Sequence, residues 1–259
     1  MANLAAEVTA ITAEAGALAL ARWDDDFKRW EKTPGSPVCE VDLEVDALLR
    51  RRLEALVPDA GWLSEETADS AQRLRHRRVW VVDPIDGTRD YIRARPGWSV
   101  SVALVEDGQP VIGVLDAPAR TERWVAVAGQ GATLNGQPIR VSDRSELVGA
   151  RVPADALPQL DSDLVMVAKP NSIALRIAMV AAGQADLLAT IRWGNEWDIA
   201  AAVLIAREAG AAVTDALGRK LRFNTPRGEA FGVLATTPGI HDAAVLRLRD
   251  RAVAAVGGA

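Results

Sequence analysis

The sequence predicts an α/β chain of layered α+β type, and three observations carry that prediction. Two amphipathic helical patterns come first, a run of β-branched strand patterns follows, and strands then alternate with helices to the end. Leu4, Val8, Ile11, Ala15 and Leu18 fall at helical spacing and give the first helix. A loop with Pro34, Gly35 and Pro37 follows. The second helix carries Val45, Leu48, Leu49, Leu53 and Leu56 on one face and stops before Pro58. "RVWVVD" is a short buried-strand pattern ending at Asp83, and "GWSVSVALV", "PVIGVLD" and "RWVAVAG" are further strands with turn residues between them. That run predicts an antiparallel sheet with the two early helices packed on it.

The second half alternates. "DLVMVA", "ADLLAT", "AAVTD" and "FGVLAT" read as strands, and "SIALRIAMVAAG", "WDIAAAVLIAREAG" and a segment from about Pro238 read as helices. Such alternation implies a sheet covered on both sides. No linker or repeat separates the halves, so the expected organisation is two layered subdomains, 1–140 and 141–259, with a cleft between them as the natural site. "GQGATLNG" follows a strand and imitates a nucleotide-binding glycine loop. Asn135-Gly136 is a hairpin signal, however, and Pro138 follows, so no helix opens there to meet a phosphate.

Composition narrows the chemistry. The 259 residues are 49% hydrophobic and 25% charged, with a formal charge of −5, which does not suggest a nucleic-acid surface. The basic run "RLRHRR" reads as a solvated connector before a strand. Cys39 is the single cysteine, and His76 and His241 are isolated, so zinc or triad chemistry built on several His or Cys is disfavoured. A bound metal would need oxygen ligands, which points to Mg²⁺, Mn²⁺ or Ca²⁺. Glu7 and Glu14 interrupt the apolar N-terminus, so the expectation is no signal peptide, no bilayer-spanning window and a cytoplasmic protein.

"VVDPIDGTRDYI" at 81–92 places two acids three residues apart around a proline, with Gly-Thr after the second. Alone it reads equally well as a turn, since Asp-Pro and Asp-Gly both favour one. Glu65-Glu66 reads as an exposed acidic loop, and Asp198 as a first-turn acid favoured by the helix dipole. Together they make a different case. If the strand ends converge on the cleft, Glu65, Asp83, Asp86 and Asp198 meet there, and like charges ~4 Å apart repel by about 4 kcal/mol per pair at an effective dielectric near 20. Protons or cations must then neutralise them. Carboxylates and backbone carbonyls suit Mg²⁺; Pro84 would turn the Ile85 carbonyl inward, and Gly87-Thr88 would bring N–H groups and a hydroxyl close. That outlines a phosphate-ester site, where up to ~10²¹-fold acceleration is needed and electrostatic help is the expected solution.

"EE" at 65–66, "WVVDPIDGT" at 80–88 and "WDIAAA" at 197–202, in that order, resemble the inositol monophosphatase family of metal-dependent, lithium-sensitive phosphatases. The resemblance spans nearly the whole chain and implies an αβαβα sandwich, usually a homodimer. It implies that Glu65, Asp83 and the Ile85 carbonyl hold a first Mg²⁺, and that Asp83, Asp86 and Asp198 hold a second. Glu65 would share a third, weaker ion. Mn²⁺ is a possible substitute and Li⁺ an expected inhibitor. By the same resemblance, the nucleophile is a water oriented by Thr88 and by Asp42 in "SPVCEVDLEVD", and the N–H groups of Gly87 and Thr88 hold phosphate oxygens. Ala202 stands where the family usually has glycine, and Cys39 where threonine is common.

Local details resemble the bacterial 3'(2'),5'-bisphosphate nucleotidase branch: "KTPGSPV", "LSEE", "GTRDYI" and "NEWD". Arg192 in "TIRWGNEWD" stands near where inositol-directed members tend to place a glutamate; an arginine there would favour a second phosphate through a bidentate contact. The expected substrate is therefore 3'-phosphoadenosine 5'-phosphate, with inositol 1-phosphate as the alternative. A non-catalytic RNA or RNA-polymerase partner is the reading from another class. Trp98 and Trp193 would stack on a base if they line the cleft; buried core is the competing role.

Overall fold

The computed structural model describes residues 1–33 and 35–257. In chain order the elements are α1 (Ala2–Ala21), β1 (Arg29–Thr33), β2 (Ser36–Cys39), α2 (Glu40–Leu56), β3 (Gly61–Ser64), β4 (Arg78–Asp86), α3 (Thr88–Ile92), β5 (Ser99–Glu106), β6 (Gln109–Ala117) and β7 (Glu122–Val127). They continue with β8 (Ala132–Leu134), β9 (Gln137–Pro138), β10 (Arg151–Pro153), β11 (Val165–Val167), α4 (Ile173–Ala181), β12 (Leu187–Asn195), α5 (Ala200–Glu208), β13 (Ala212–Thr214), β14 (Glu229–Thr236) and α6 (His241–Gly257).

Period-two patterning builds the large sheet, of order β3-β4-β5-β6-β7-β8-β9. Along β4, Trp80 and Val82 face one core while Val79 and Val81 face the other; along β5, Val102 and Leu104 oppose Ala103 and Val105 in the same way. One face packs on α1 and α2 through Val8, Ile11, Val45, Leu49 and Leu53, all buried. Truncating Leu49 to alanine there would cost about 2–5 kcal/mol. The other face receives α4 and α5. Close approach of α5 to β6 requires Gly113, whose Cβ would lie 2.7 Å from the Ala201 carbonyl oxygen. Beyond α4 and α5 lies a second sheet, of order β12-β14-β13, and α6 packs on β12 and β14. The layers are thus α, β, α, β, α, the sandwich that the motifs implied.

Several expectations need correction. The antiparallel sheet expected from the strand run is present over β4–β7, but the short β3 joins its edge parallel to β4, Ser64 opposite Val82, a direction too few residues can announce. The segment expected as a loop is a β1–β2 hairpin, with Trp30 opposite Val38 and Glu31 opposite Pro37. Of the loop residues expected there, Pro34 lies outside the described residues. "RLRHRR" is not uniformly solvated, because Arg73 is buried. By length and apolarity α1 suffices to span a bilayer, with a mean hydropathy of 1.4, contrary to the sequence expectation. Its Val8, Ile11, Ala15 and Ala19 are nevertheless packed in the core of this fold. The expected hairpin at Asn135-Gly136 is present, both residues having positive φ.

Candidate active site

The motif at the end of β4 works through a bulge. Asp83 pairs with Ser101 and Asp86 with Ser99, so three steps on β4 oppose two on β5. In a regular strand, residues three apart face opposite ways; the extra residue turns both acids toward one side. Pro84 fits there because it has no N–H to give the ladder. Asp83 Oδ1 accepts the Ile85 N–H at 3.1 Å, and the Ile85 carbonyl accepts the Thr88 hydroxyl at 3.0 Å. Gly87 has φ +97°, and a Cβ on it would meet the Gly97 carbonyl oxygen at 2.7 Å. Only glycine passes there, and it delivers the Gly87 and Thr88 amides to the first turn of α3.

The parallel β3 edge places Glu65 beside Asp83, and the turn before α5 supplies Asp198. Carboxylate oxygens of Glu65, Asp83 and Asp198 lie within 4.8 Å of one another. Burial raises the Asp83 carboxyl well above the usual range, and the charges of Glu65, Asp86 and Asp198 push it further. Asp198 is raised by burial and then by Asp86 and Glu65, opposed by the Asn195 N–H and by Arg192. Asp86 is treated differently. Its Oδ2 accepts the Ser172 hydroxyl at 2.5 Å and the Ala174 N–H at 2.7 Å, while Oδ1 accepts the Ile173 N–H at 3.3 Å. Burial raises it to about 6 against these bonds and the nearby Arg176 guanidinium.

Asp42 lies in the first turn of α2, nearly fully buried. Its Oδ2 accepts both the N–H and the thiol of Cys39 at 2.8 Å, closing a capping box in which the cysteine takes the place of a hydroxyl residue. Its Oδ1 accepts the Thr88 hydroxyl at 3.2 Å. Burial lifts Asp42 to about 6, with the Cys39 bonds holding it down and Glu65 adding to the rise. Arg192 is exposed and, with Gly194 and Ile173, lines a small pocket of about 30 Å³ that includes Asp198. Trp98 is buried and packs edge-on against Tyr91 and Trp23. Trp193 packs on Phe231 beneath Arg227 and is not among the residues lining that pocket beside Asp198.

Sequence reasoning missed several groups. Ser172 has a signal: it precedes an apolar helical pattern as an N-cap, and its hydroxyl also accepts the Leu175 N–H at 2.9 Å. Asp46 grips both ends of the Glu65-Glu66 turn, accepting from Ser64 at 2.5 Å and Thr67 at 2.8 Å. Lys32, on the β1–β2 hairpin, reaches Glu65 at 3.0 Å and Glu66 at 2.7 Å. Neither Asp46 nor Lys32 has a local sequence signature, because each acts across the fold.

The donor set is half-buried around a buried Asp83, acidic and all oxygen, which suits a hard divalent cation. The Inositol monophosphatase family matches residues 2–254. "Inositol monophosphatase 2" of Solanum lycopersicum is 33% identical over 82% of this chain and 85% of its own length. "Nus factor SuhB" of Xylella fastidiosa is 37% identical over 69% of each. The solved structure of the Thermotoga maritima IMPase superposes with a TM-score of 0.82 at 29% identity, covering 98% of this chain and 99% of that one. With fold, motif order and acidic cluster agreeing over almost the entire length, the chain belongs to the inositol monophosphatase family of metal-dependent phosphatases.

Proposed function

We propose that this phosphatase is a Mg²⁺-dependent phosphomonoesterase of small phosphorylated polyols, with inositol 1-phosphate as its reference substrate. The observation that carries the proposal is the convergence of Glu65, Asp83 and Asp198 beside a Thr88–Asp42 pair. Glu65, Asp83 and the Ile85 carbonyl would hold one Mg²⁺, and Asp83, Asp86 and Asp198 another; Glu65 would share a weaker third. Mn²⁺ would substitute and Li⁺ inhibit. Bound there, the cations supply charge neutralisation for the phosphate and acidify water. The residues of the chain do the rest. Thr88 Oγ1 accepts a proton from the attacking water as it passes its own to Asp42 Oδ1, whose upward shift suits it to take one. The Gly87 and Thr88 amides would receive phosphate oxygens. Asp86 and Asp198 would orient the ester in the cleft between residues 1–140 and 141–259.

A second reading, a 3'(2'),5'-bisphosphate nucleotidase, is favoured by one observation: the Arg192 guanidinium borders Asp198, where a second phosphate would extend. We further infer a cytoplasmic homodimer with neither membrane nor nucleic acid as partner, supported by the family likeness and the charge of −5. Light scattering would check it against twice the 27.6 kDa of one chain.

The deciding experiment is phosphate release with Mg²⁺ from inositol 1-phosphate, 3'-phosphoadenosine 5'-phosphate, L-histidinol phosphate and fructose 1,6-bisphosphate, with Asp86→Asn as control. A preference of about a hundredfold, about 2.7 kcal/mol, for the inositol ester supports the main proposal. The same margin for the nucleotide, lost in Arg192→Ala, transfers it to the second reading. Silence on all four, with the control no different, would leave a binding role in its place.

A further inference from the structure

Arg73 and Glu196 form a buried polar assembly that the hydrolytic mechanism does not use. Arg73 leaves the short 3₁₀ turn Ala71–Arg75, and its side chain is 1% exposed. Its guanidinium pairs with Asp69 at 2.7 and 2.9 Å, then crosses to the other half of the chain. There it donates to Asn224 Oδ1 at 2.6 Å and to the Thr225 carbonyl at 2.9 Å. Glu196, fully buried, grips the same loop from the opposite side. Its carboxylate accepts the Asn224 N–H at 2.5 Å, the Thr225 N–H at 2.8 Å and the Thr225 hydroxyl at 2.5 Å. Residue 225 is thus held between an anion on its N–H and a cation on its carbonyl, so the two charges polarise the same stretch of backbone.

The position of this assembly gives it a consequence. Glu196 stands two residues before Asp198, and its carbonyl accepts the Ile199 and Ala200 N–H groups at 3.2 and 2.9 Å, so it also fixes the turn that carries Asp198. At the other end, Arg73 abuts the start of β3, where a Cβ on Gly61 would lie 3.1 Å from the Arg73 Cα. Strand β3 ends one residue before Glu65. The two acids of the cluster that are farthest apart in sequence are therefore tied through the 224–226 loop, not through each other. Their mutual repulsion opposes convergence, and the loop resists it.

We propose that Arg73 and Glu196 are positioning residues. Through the loop they set the separation of Glu65 and Asp198, and with it the affinity of the cluster for its divalent cation. This rests on the cation-binding role assigned above. The test is Mn²⁺ binding by electron paramagnetic resonance, without substrate, in wild type, Arg73→Ala, Glu196→Gln and Thr225→Val, with thermal melts alongside. Thr225→Val removes one hydroxyl donor at almost constant shape, and it stands in should the other variants fail to fold. Arg251→Ala is the control for ordinary loss of a half-buried pair, since it breaks the 2.7 Å contact with Asp161 away from the site. The expected result is Mn²⁺ affinity lowered about tenfold in the loop variants and unchanged in Arg251→Ala. Lower melting temperatures with wild-type Mn²⁺ affinity would reduce the assembly to a structural tie and overturn the proposal. A wild-type chain that binds no Mn²⁺ would overturn the cation reading itself, and this inference with it.

Discussion

Asp83 and Asp86 share a strand, a motif and a burial that raises both carboxyls, yet the fold surrounds them with different numbers of donors. Asp86 is met by the N-terminal end of α4, where a serine hydroxyl and two backbone N–H groups accommodate its charge. Asp83 receives one N–H and faces the charges of Glu65, Asp86 and Asp198. The difference teaches where the protein itself supplies the counter-charge and where it leaves that task to a ligand. A cluster of this kind lowers the stability of the chain and raises its affinity for cations. The neighbouring Asp86, which would also meet the second cation, is held in place by donors of the protein itself.

Asp83→Asn breaks the comparison hardest. Removing a charge that both cations would share should cut phosphate release by about a thousandfold or more. The sign on stability is the reverse. A carboxyl raised in the folded state binds protons more tightly there than when unfolded, so the metal-free protein loses stability as pH rises from the unfolded value through the higher folded one. Near pH 8 and without metal, the variant should therefore melt higher than wild type by about 2–4 °C, while Mg²⁺ should raise only the wild-type melting temperature. A lower melting temperature would mean that Asp83 is not held against repulsion.

Asp86→Asn should cost about a hundredfold in activity but move stability the other way. It places an amide among donors that need acceptors, a loss that outweighs the relief of a carboxyl which burial also raises, to about 6, so the metal-free melting temperature should fall by about 2–4 °C. Opposite signs for the two variants would establish the contrast; equal signs would erase it.

The smallest effect sharpens the site at its edge. Asp42 must be ionised to take a proton, so activity should fall as pH drops toward and below about 6. A bound cation beside Glu65 relieves part of the upward push and would carry that acid limb lower. The Cys39 thiol helps hold Asp42 down, so Cys39→Ala should move the limb up by about half a unit. Cys39→Ser, with a stronger donor, should restore or lower it. The rate near pH 8 should stay within about twofold of wild type in both. A limb that ignores Cys39 would remove Asp42 from the proton path.

Much of this was legible in the chain. Helical spacing at Val8, Ile11, Val45, Leu49 and Leu53 announced the outer helices, because amphipathic periodicity is a local property. The acids of "DPIDGT", Glu65 and Asp198 were legible as a set because that motif is specific. Their nearness was not, since it depends on a bulge and on a parallel edge strand that four residues cannot signal. Arg73 shows the limit best: within "RLRHRR" it resembles its solvated neighbours, and only its partners at Asn224 and Thr225 take it inside.

The sequence by itself determined the element order, the two-sided patterning of β4 and β5, and the residue types able to hold a hard cation. All of these follow from interactions between residues close along the chain. The tertiary structure alone decided which carboxylates face one another, which receive protein donors, and which cation crosses between the halves. Those outcomes depend on contacts between residues as many as 153 positions apart, such as Arg73 with Pro226. Electrostatic energies there follow distance and burial, which no local pattern encodes.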